Sequence, residues 1–134
     1  DLPMEESGEL LTACDAAGVA LVPLVAPTTP DARLAAIGAR ARGFVYSVSV
    51  VGTTGERAAL SDQFGAAIGR AKAHTDVPVA LGFGIGSPAQ ALQAAEAGAD
   101  GVIVGSRLVR AAAESEDPAA AVRTLVEGFS AALA

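Results

Sequence analysis

Val77-Pro78-Val79-Ala80-Leu81-Gly82-Phe83-Gly84-Ile85-Gly86-Ser87-Pro88-Ala89-Gln90 passes from strand to loop to helix in one short stretch. Val77 to Leu81 is a compact, nearly continuous apolar run. That pattern suits a strand set among parallel neighbours and covered on both faces. Gly82 to Gly86 alternates glycine with apolar residues and reads as a loop. Ser87-Pro88-Ala89-Gln90 is a capping box with proline at the first helical position, so a helix starts there.

The same unit recurs on either side. Further strand candidates are Val19 to Val25, Phe44 to Val50 and Gly101 to Val104, separated by longer alanine-rich helical stretches. Thr29-Pro30-Asp31 and Asp117-Pro118 open two of the helices, while Arg70, Lys72 and His74 sit near the end of another and complement its dipole. Three strand entries resemble one another: Ala17-Gly18-Val19, Arg42-Gly43-Phe44 and Asp100-Gly101-Val102. Alternation of this kind predicts an α/β protein with a parallel sheet and right-handed crossovers. No low-complexity linker or charge block divides the chain, so residues 1–134 are expected to be a single unit.

Composition narrows the function. Of 134 residues, 51% are hydrophobic, and 32 of these are alanine; there are four Phe, one Tyr and no Trp. Such apolar content excludes intrinsic disorder. A net charge of −6 argues against nucleic acid and anionic membranes as partners. No apolar run approaches the roughly 20 residues of a membrane helix, and no basic-plus-apolar leader is visible. The single Cys14 cannot form an internal disulfide, which fits a reducing cytoplasm, and its helical setting suggests a buried or half-buried structural thiol. Asp1 opens the chain in place of Met, from which an upstream part is expected to be missing.

In such folds the functional loops follow the carboxyl ends of the strands. Three of them are marked by glycine: Gly52-Thr53-Thr54-Gly55, Gly82 to Gly86, and Gly105-Ser106 at the opening of a short helix. Glycine lets backbone N–H groups approach an anion, and the first turn of a helix leaves several N–H groups unpaired. Each loop singly is ordinary turn chemistry; three in consecutive units point to a phosphate. A dinucleotide fingerprint is rejected, because position 87 is Ser and no acid ends a following strand.

The carboxylates offer little for acid–base work. Asp76 and Asp100 precede strands and belong to the opposite, stability face; Asp31 and Asp62 read as helix-start acids; most of the rest are on helices or connections. Asp1 and Glu56 are left as the near-site carboxylates, and Glu56, beside Arg57, is better explained by simple loop solvation. His74 reads as a solvated helix-end residue, and no metal-ligand cluster stands out.

Asp1-Leu2-Pro3, Ala26-Pro27-Thr28, Gly43 to Ser49, Gly52-Thr53-Thr54-Gly55, Gly82-Phe83-Gly84-Ile85 and Gly101 to Ser106, in this order and spacing, resemble the tryptophan synthase alpha subunit along the whole chain. The resemblance implies the C-terminal half of a TIM (β/α)8 barrel, strands five to eight with their helices. The family is a carbon–carbon lyase that cleaves indole-3-glycerol phosphate to indole and glyceraldehyde 3-phosphate in tryptophan biosynthesis.

By motif, Gly55, Gly84, Gly105 and Ser106 resemble the family's phosphate-binding positions. Tyr46 and Phe83 match residues lining the indole pocket, although both also suit core aromatics. Thr54 matches a loop threonine that orients a catalytic aspartate. Asp1, Pro3 and Gly52 match the surface that meets the beta subunit. The family's catalytic Glu and Asp belong to the first half of the barrel, so no catalytic residue is expected in this chain, and the chain alone is expected to be inactive. No cofactor is implied, pyridoxal phosphate belonging to the beta subunit. The implied partners are that subunit, a phosphorylated substrate and the missing N-terminal half, or a second copy meeting the open sheet edges. Two alternatives remain: another phosphate-binding barrel, such as a thiamine-phosphate synthase or a sugar-phosphate epimerase, and a non-catalytic, self-associating half-barrel.

Overall fold

A computed structural model of the chain describes residues 2–48, 57–82 and 84–134. A 3₁₀ turn at Met4–Glu6 leads into α1 (Gly8–Ala16), β1 (Leu24–Val25), α2 (Asp31–Gly38), β2 (Val45–Val48), α3 (Arg57–Lys72), β3 (Val79–Gly82), α4 (Pro88–Glu96), β4 (Gly101–Val102), α5 (Ser106–Ala113) and α6 (Pro118–Leu133). The strands form one sheet in the order β1-β2-β3-β4, every pair parallel. This is the α/β arrangement that the alternating sequence implies.

The strands are shorter than the apolar runs that announce them. Leu24 pairs with Tyr46 and Val25 with Ser47, so residues 19–22 would have to pair with chain preceding β2. That chain turns at Gly43, whose φ is +71°, and a Cβ there would lie 3.1 Å from the Ala20 methyl carbon. The backbone leaves the ladder, and Val19 to Val22 stay unpaired beside it. At the other edge, among the described residues, β4 has only β3 as a neighbour and its ladder ends soon after Val102, with a last bond from the Ile103 N–H to the Leu81 carbonyl at 2.8 Å.

Helices cover one face of the sheet. Val45 and Ser47 on β2 and Val79 and Leu81 on β3 are essentially inaccessible, whereas the alternate residues Tyr46, Val48 and Ala80 are half-buried and Leu24 is 56% exposed. The expectation of strands covered on both faces therefore does not hold among the described residues. A continuous apolar run records the chemistry of both faces but cannot say whether both have partners.

Two apolar clusters lie beneath the helices. One joins Val25, Val45 and Val79 to Leu34 and Ile37 of α2, with Ala41 and Ala71; the other joins Leu81 to Phe64 and Ile68 of α3, Ile85, Ala91 and Ala94 of α4 and Phe129 of α6. Ala91 and Ala94 are wholly buried, which explains part of the alanine load: methyl side chains let α4 sit close to the sheet and α6, and Phe129 supplies the bulk.

The helix signals resolve in detail. Ser87 and Asp117 are N-caps, accepting the N–H groups of Gln90 at 3.3 Å and Ala120 at 3.0 Å, each followed by proline at the first helical position. At the opening of α2 Pro30 is itself the N-cap rather than the first helical residue, and Thr29 turns back to accept the Ala26 N–H at 2.9 Å. Asp62 lies within α3 rather than at its start. The repeated glycine is also shifted in one case. α1 and α4 end alike, on left-handed Gly18 and Gly98, with the next N–H reaching back to Cys14 and Ala94. The counterpart of Gly18 is thus Gly98, three residues before Gly101.

Arg70 and Lys72 do more than complement a helix dipole. The Arg70 guanidinium donates to the Pro27 and Thr29 carbonyls and pairs with Asp31 at 2.7 Å. Lys72 bonds Asp100 at 2.8 Å and the Gly98 carbonyl at 3.0 Å, and the second Asp100 oxygen accepts the Val79 N–H at 2.8 Å. Cys14 is half-buried with a free thiol, as expected. Among the described residues no helix is long and apolar enough to cross a membrane.

Candidate phosphate site

The β3–α4 loop owes its path to Gly84, whose φ of +85° is strained for any residue bearing a Cβ. Ile85 is 4% exposed and anchors the loop in the second apolar cluster. Gln90 closes it from the helix side: its Oε1 accepts the Gly86 N–H at 2.8 Å and lies 3.3 Å from the Ser87 hydroxyl. The capping box thus forms, but its glutamine reaches one residue further back than the usual partner at the N-cap itself.

The neighbouring β4–α5 loop ends on Gly105, which caps α5 without a side chain. Its carbonyl accepts the N–H groups of Leu108 and Val109. The N–H groups of Ser106 and Arg107 open the helix, where no preceding turn can supply acceptors.

These two loops and Tyr46 enclose a cavity of about 340 Å³ lined by Tyr46, Gly84, Ile85, Gly86, Ile103, Gly105, Ser106, Arg107 and Arg110. Four residues singled out in the sequence, Tyr46, Gly84, Gly105 and Ser106, therefore meet in one place at the carboxyl end of the strands. Gly82 leaves room for the Tyr46 ring: a Cβ built on that glycine would overlap it, its Cζ only 2.6 Å away. Pro3 is exposed and lies elsewhere, on an apolar groove of about 440 Å³ shared with Leu2, Met4 and Leu24. Asp1, Gly52, Thr54, Gly55, Glu56 and Phe83 lie outside the described residues.

Arg107 and Arg110 line the cavity and are passed over by sequence reasoning, which has Gly86 only as part of its glycine-marked loop. The available signal for the arginines was their spacing: one directly after the Gly-Ser helix start and one a turn further on the same face.

No Asp or Glu lines this cavity among the described residues. The carboxylates with displaced pKa values lie in structural ties, and all are lowered. Asp31 is held below the ordinary carboxylate range by hydrogen bonding and attraction from Arg70, and Asp100 by the Lys72 hydrogen bond and the Val79 N–H. A general acid needs the opposite displacement. The described residues contain no group of three or more His, Cys, Asp or Glu able to hold a metal. The site can thus bind an anion through backbone N–H groups, a hydroxyl and cationic side chains, beside a tyrosine ring.

The family model for the tryptophan synthase alpha chain matches residues 1–133. The chain belongs to that family. It is 49% identical to the tryptophan synthase alpha chain of Lactiplantibacillus plantarum over 122 residues, covering 91% of this chain and 46% of the relative. It is 43% identical to that of a Picosynechococcus species over 136 residues, covering 100% of this chain and 52% of the relative. Among solved structures, tryptophan synthase subunit alpha from Legionella pneumophila superposes with a TM-score of 0.85 at 32% identity, over 99% of this chain and 49% of that one. Tryptophan synthase from M. tuberculosis matches with a TM-score of 0.80 at 39% identity, over 98% and 47%.

The chain spans about half the length of the curated relatives it matches. Its four βα units are accordingly part of the (β/α)8 barrel of the tryptophan synthase alpha chain, and the uncovered sheet face carrying Leu24, Tyr46 and Ala80 is the face that a closed barrel turns inward. These relatives lend no support to another kind of phosphate-binding barrel.

Proposed function

We propose that this chain is the phosphate-binding half of a tryptophan synthase alpha subunit, strands five to eight. The whole subunit would cleave indole-3-glycerol phosphate to indole and glyceraldehyde 3-phosphate. One observation carries the assignment of the half-site: Gly84, Gly86, Gly105 and Ser106 converge on a cavity that also receives Tyr46. Backbone N–H groups and the α5 start hold the phosphate, and the Tyr46 ring borders the space for the indole. Gly55 and Thr54 would complete the phosphate and loop-closing positions, Phe83 the indole pocket, and Asp1, Pro3 and Gly52 the beta-subunit contact.

In this reading the phosphate anchors the substrate so that carboxylates from the other half meet it in productive geometry. Removing a single general acid or base slows catalysis by roughly 10² to 10⁴. Losing the acid–base pair with half the pocket leaves no measurable turnover. The alpha chain needs no cofactor of its own, pyridoxal phosphate residing on the beta subunit, and works in the cytoplasm.

The test uses indole-3-propanol phosphate, an uncleavable analogue. Binding is read by calorimetric titration, because the indole of the analogue absorbs and emits more strongly than the single tyrosine, Tyr46. Saturable heat of binding, without indole release from the true substrate, is expected. Indole release by the isolated chain would overturn the division of labour, and absence of any binding would overturn the half-site.

A second property follows from the open face. Leu24 at 56% and Leu2 at 52% exposure, bordering the apolar groove, favour association with the complementary half-barrel. Co-purification with a separately expressed strands one-to-four segment, restoring turnover, is the expected result. A chain that remains a monomer in sedimentation with that segment present would refute it.

A further inference from the structure

Backbone cradles bind phosphate with partial charges, and this cavity adds two whole ones. Arg107 and Arg110 both line it, one helical turn apart on α5. Elsewhere in the described structure five other arginines and lysines are engaged, Arg33 and Arg70 with Glu5 and Asp31, Lys72 with Asp100, and Arg40 and Arg42 with backbone carbonyls, whereas Arg123 stands alone and exposed on α6. Among the described residues, neither Arg107 nor Arg110 has a carboxylate or carbonyl partner. The protein carries a net charge of −6, so two unpaired guanidiniums on one cavity wall are not a by-product of general basicity.

We infer that Arg107 and Arg110 form a cationic rim on the phosphate cavity and bind the ligand's phosphate oxygens directly, in addition to the cradle of Gly84, Gly105 and Ser106. This rests on the reading of the cavity as a phosphate site. A planar guanidinium can donate two parallel hydrogen bonds to phosphate oxygens. Arg107, half-buried beside Ser106, is placed to make the shorter-range contact, while the exposed Arg110 reaches from the next turn. The rim favours doubly charged phosphate monoesters over uncharged polyols, and its contribution falls as salt screens it.

The experiment is calorimetric titration of the 134-residue chain with glycerol 3-phosphate at low and high salt, with glycerol as the uncharged control. The Arg107→Gln/Arg110→Gln double variant is expected to bind about tenfold more weakly at low salt and to lose most of its salt dependence. The Lys counterparts should recover part of the affinity, and Arg123→Gln, an exposed change on α6 outside the cavity, should match the parent. Ser106→Glu sets a carboxylate in the cradle and should abolish binding. If Ser106→Glu abolishes binding while the double Gln variant keeps the parent's affinity and salt slope, the cradle stands and the rim is wrong. If the parent itself does not bind glycerol 3-phosphate at millimolar concentration, both fall.

Discussion

At the amino end of the strands, charge is closed in on itself. Lys72 and the Val79 N–H share the two oxygens of Asp100, and Lys72 also reaches the Gly98 carbonyl, so three elements are tied at one point. At the carboxyl end the pattern reverses: Arg107 and Arg110 border a cavity with no acidic residue in its described lining, beside N–H groups at the start of α5. Polar groups that pair with one another tie elements together, whereas Arg107 and Arg110 have no carboxylate or carbonyl partner among the described residues. In sheets with helical crossovers this is the division between a stability face and a functional face. Two glycines show the contrast: Gly38 at the amino end leaves room for the His74 backbone, and Gly82 at the carboxyl end for the Tyr46 side chain.

Substitution at the amino end should therefore change stability without touching phosphate binding. The largest effect is expected at Gly38, where a Cβ would overlap the His74 carbonyl, with its carbon 2.7 Å away. Since the obstacle is backbone, Gly38→Ala should cost about 3 kcal/mol in denaturant unfolding. An unchanged unfolding midpoint would show that α2 approaches the end of α3 less closely than these contacts require. Gly82→Ala tests the other end. Its obstacle is the Tyr46 side chain, which can rotate, so a loss of about 1–2 kcal/mol should accompany altered tyrosine emission and weakened analogue binding. Binding equal to the parent's would remove Tyr46 from the site.

Gln90→Ala should cost about 1 kcal/mol, because the Gly86 N–H loses its acceptor. The sharper readout is faster hydrogen exchange at Gly86, with exchange at Val79 unchanged. The smallest effect belongs to Asp100→Asn, below about 1 kcal/mol for a partly exposed pair. Its pH dependence is diagnostic. The carboxyl of Asp100 is lowered by Lys72 and the Val79 N–H, so its contribution is present above the ordinary Asp value of about 3.9. It is lost as pH falls through the lower folded-state value. The Asn variant should show a shallower acid limb between these values, and identical acid limbs would mean that the ion pair contributes nothing.

Much of the fold was legible because its signals are local. Ser87-Pro88 and Asp117-Pro118 start helices through bonds that span three residues, and the four apolar runs each overlap a strand. Strand length was not legible: Val19 to Val22 look as apolar as Leu24 and Val25, and only the turn at Gly43 withdraws their partner. In the site, Gly84, Gly105 and Ser106 were legible as loop chemistry. Arg107 and Arg110 were not, because a helical arginine is informative only once its face is seen to border a cavity lacking acids.

By itself the sequence determined the alternation of strand and helix, the caps and the glycine loops, since each follows from backbone and side-chain chemistry within a few residues. The family also follows from the order and spacing of those motifs. Only the tertiary structure decided which sheet face is covered, where the ladders stop and which cations remain unpaired. Those properties depend on neighbours more than twenty residues away: Asp100 on Lys72, Arg70 on Asp31, and the site on loops from two separate βα units. A side chain's partners are set by the packing of whole elements, and that packing brings Tyr46 to Ser106.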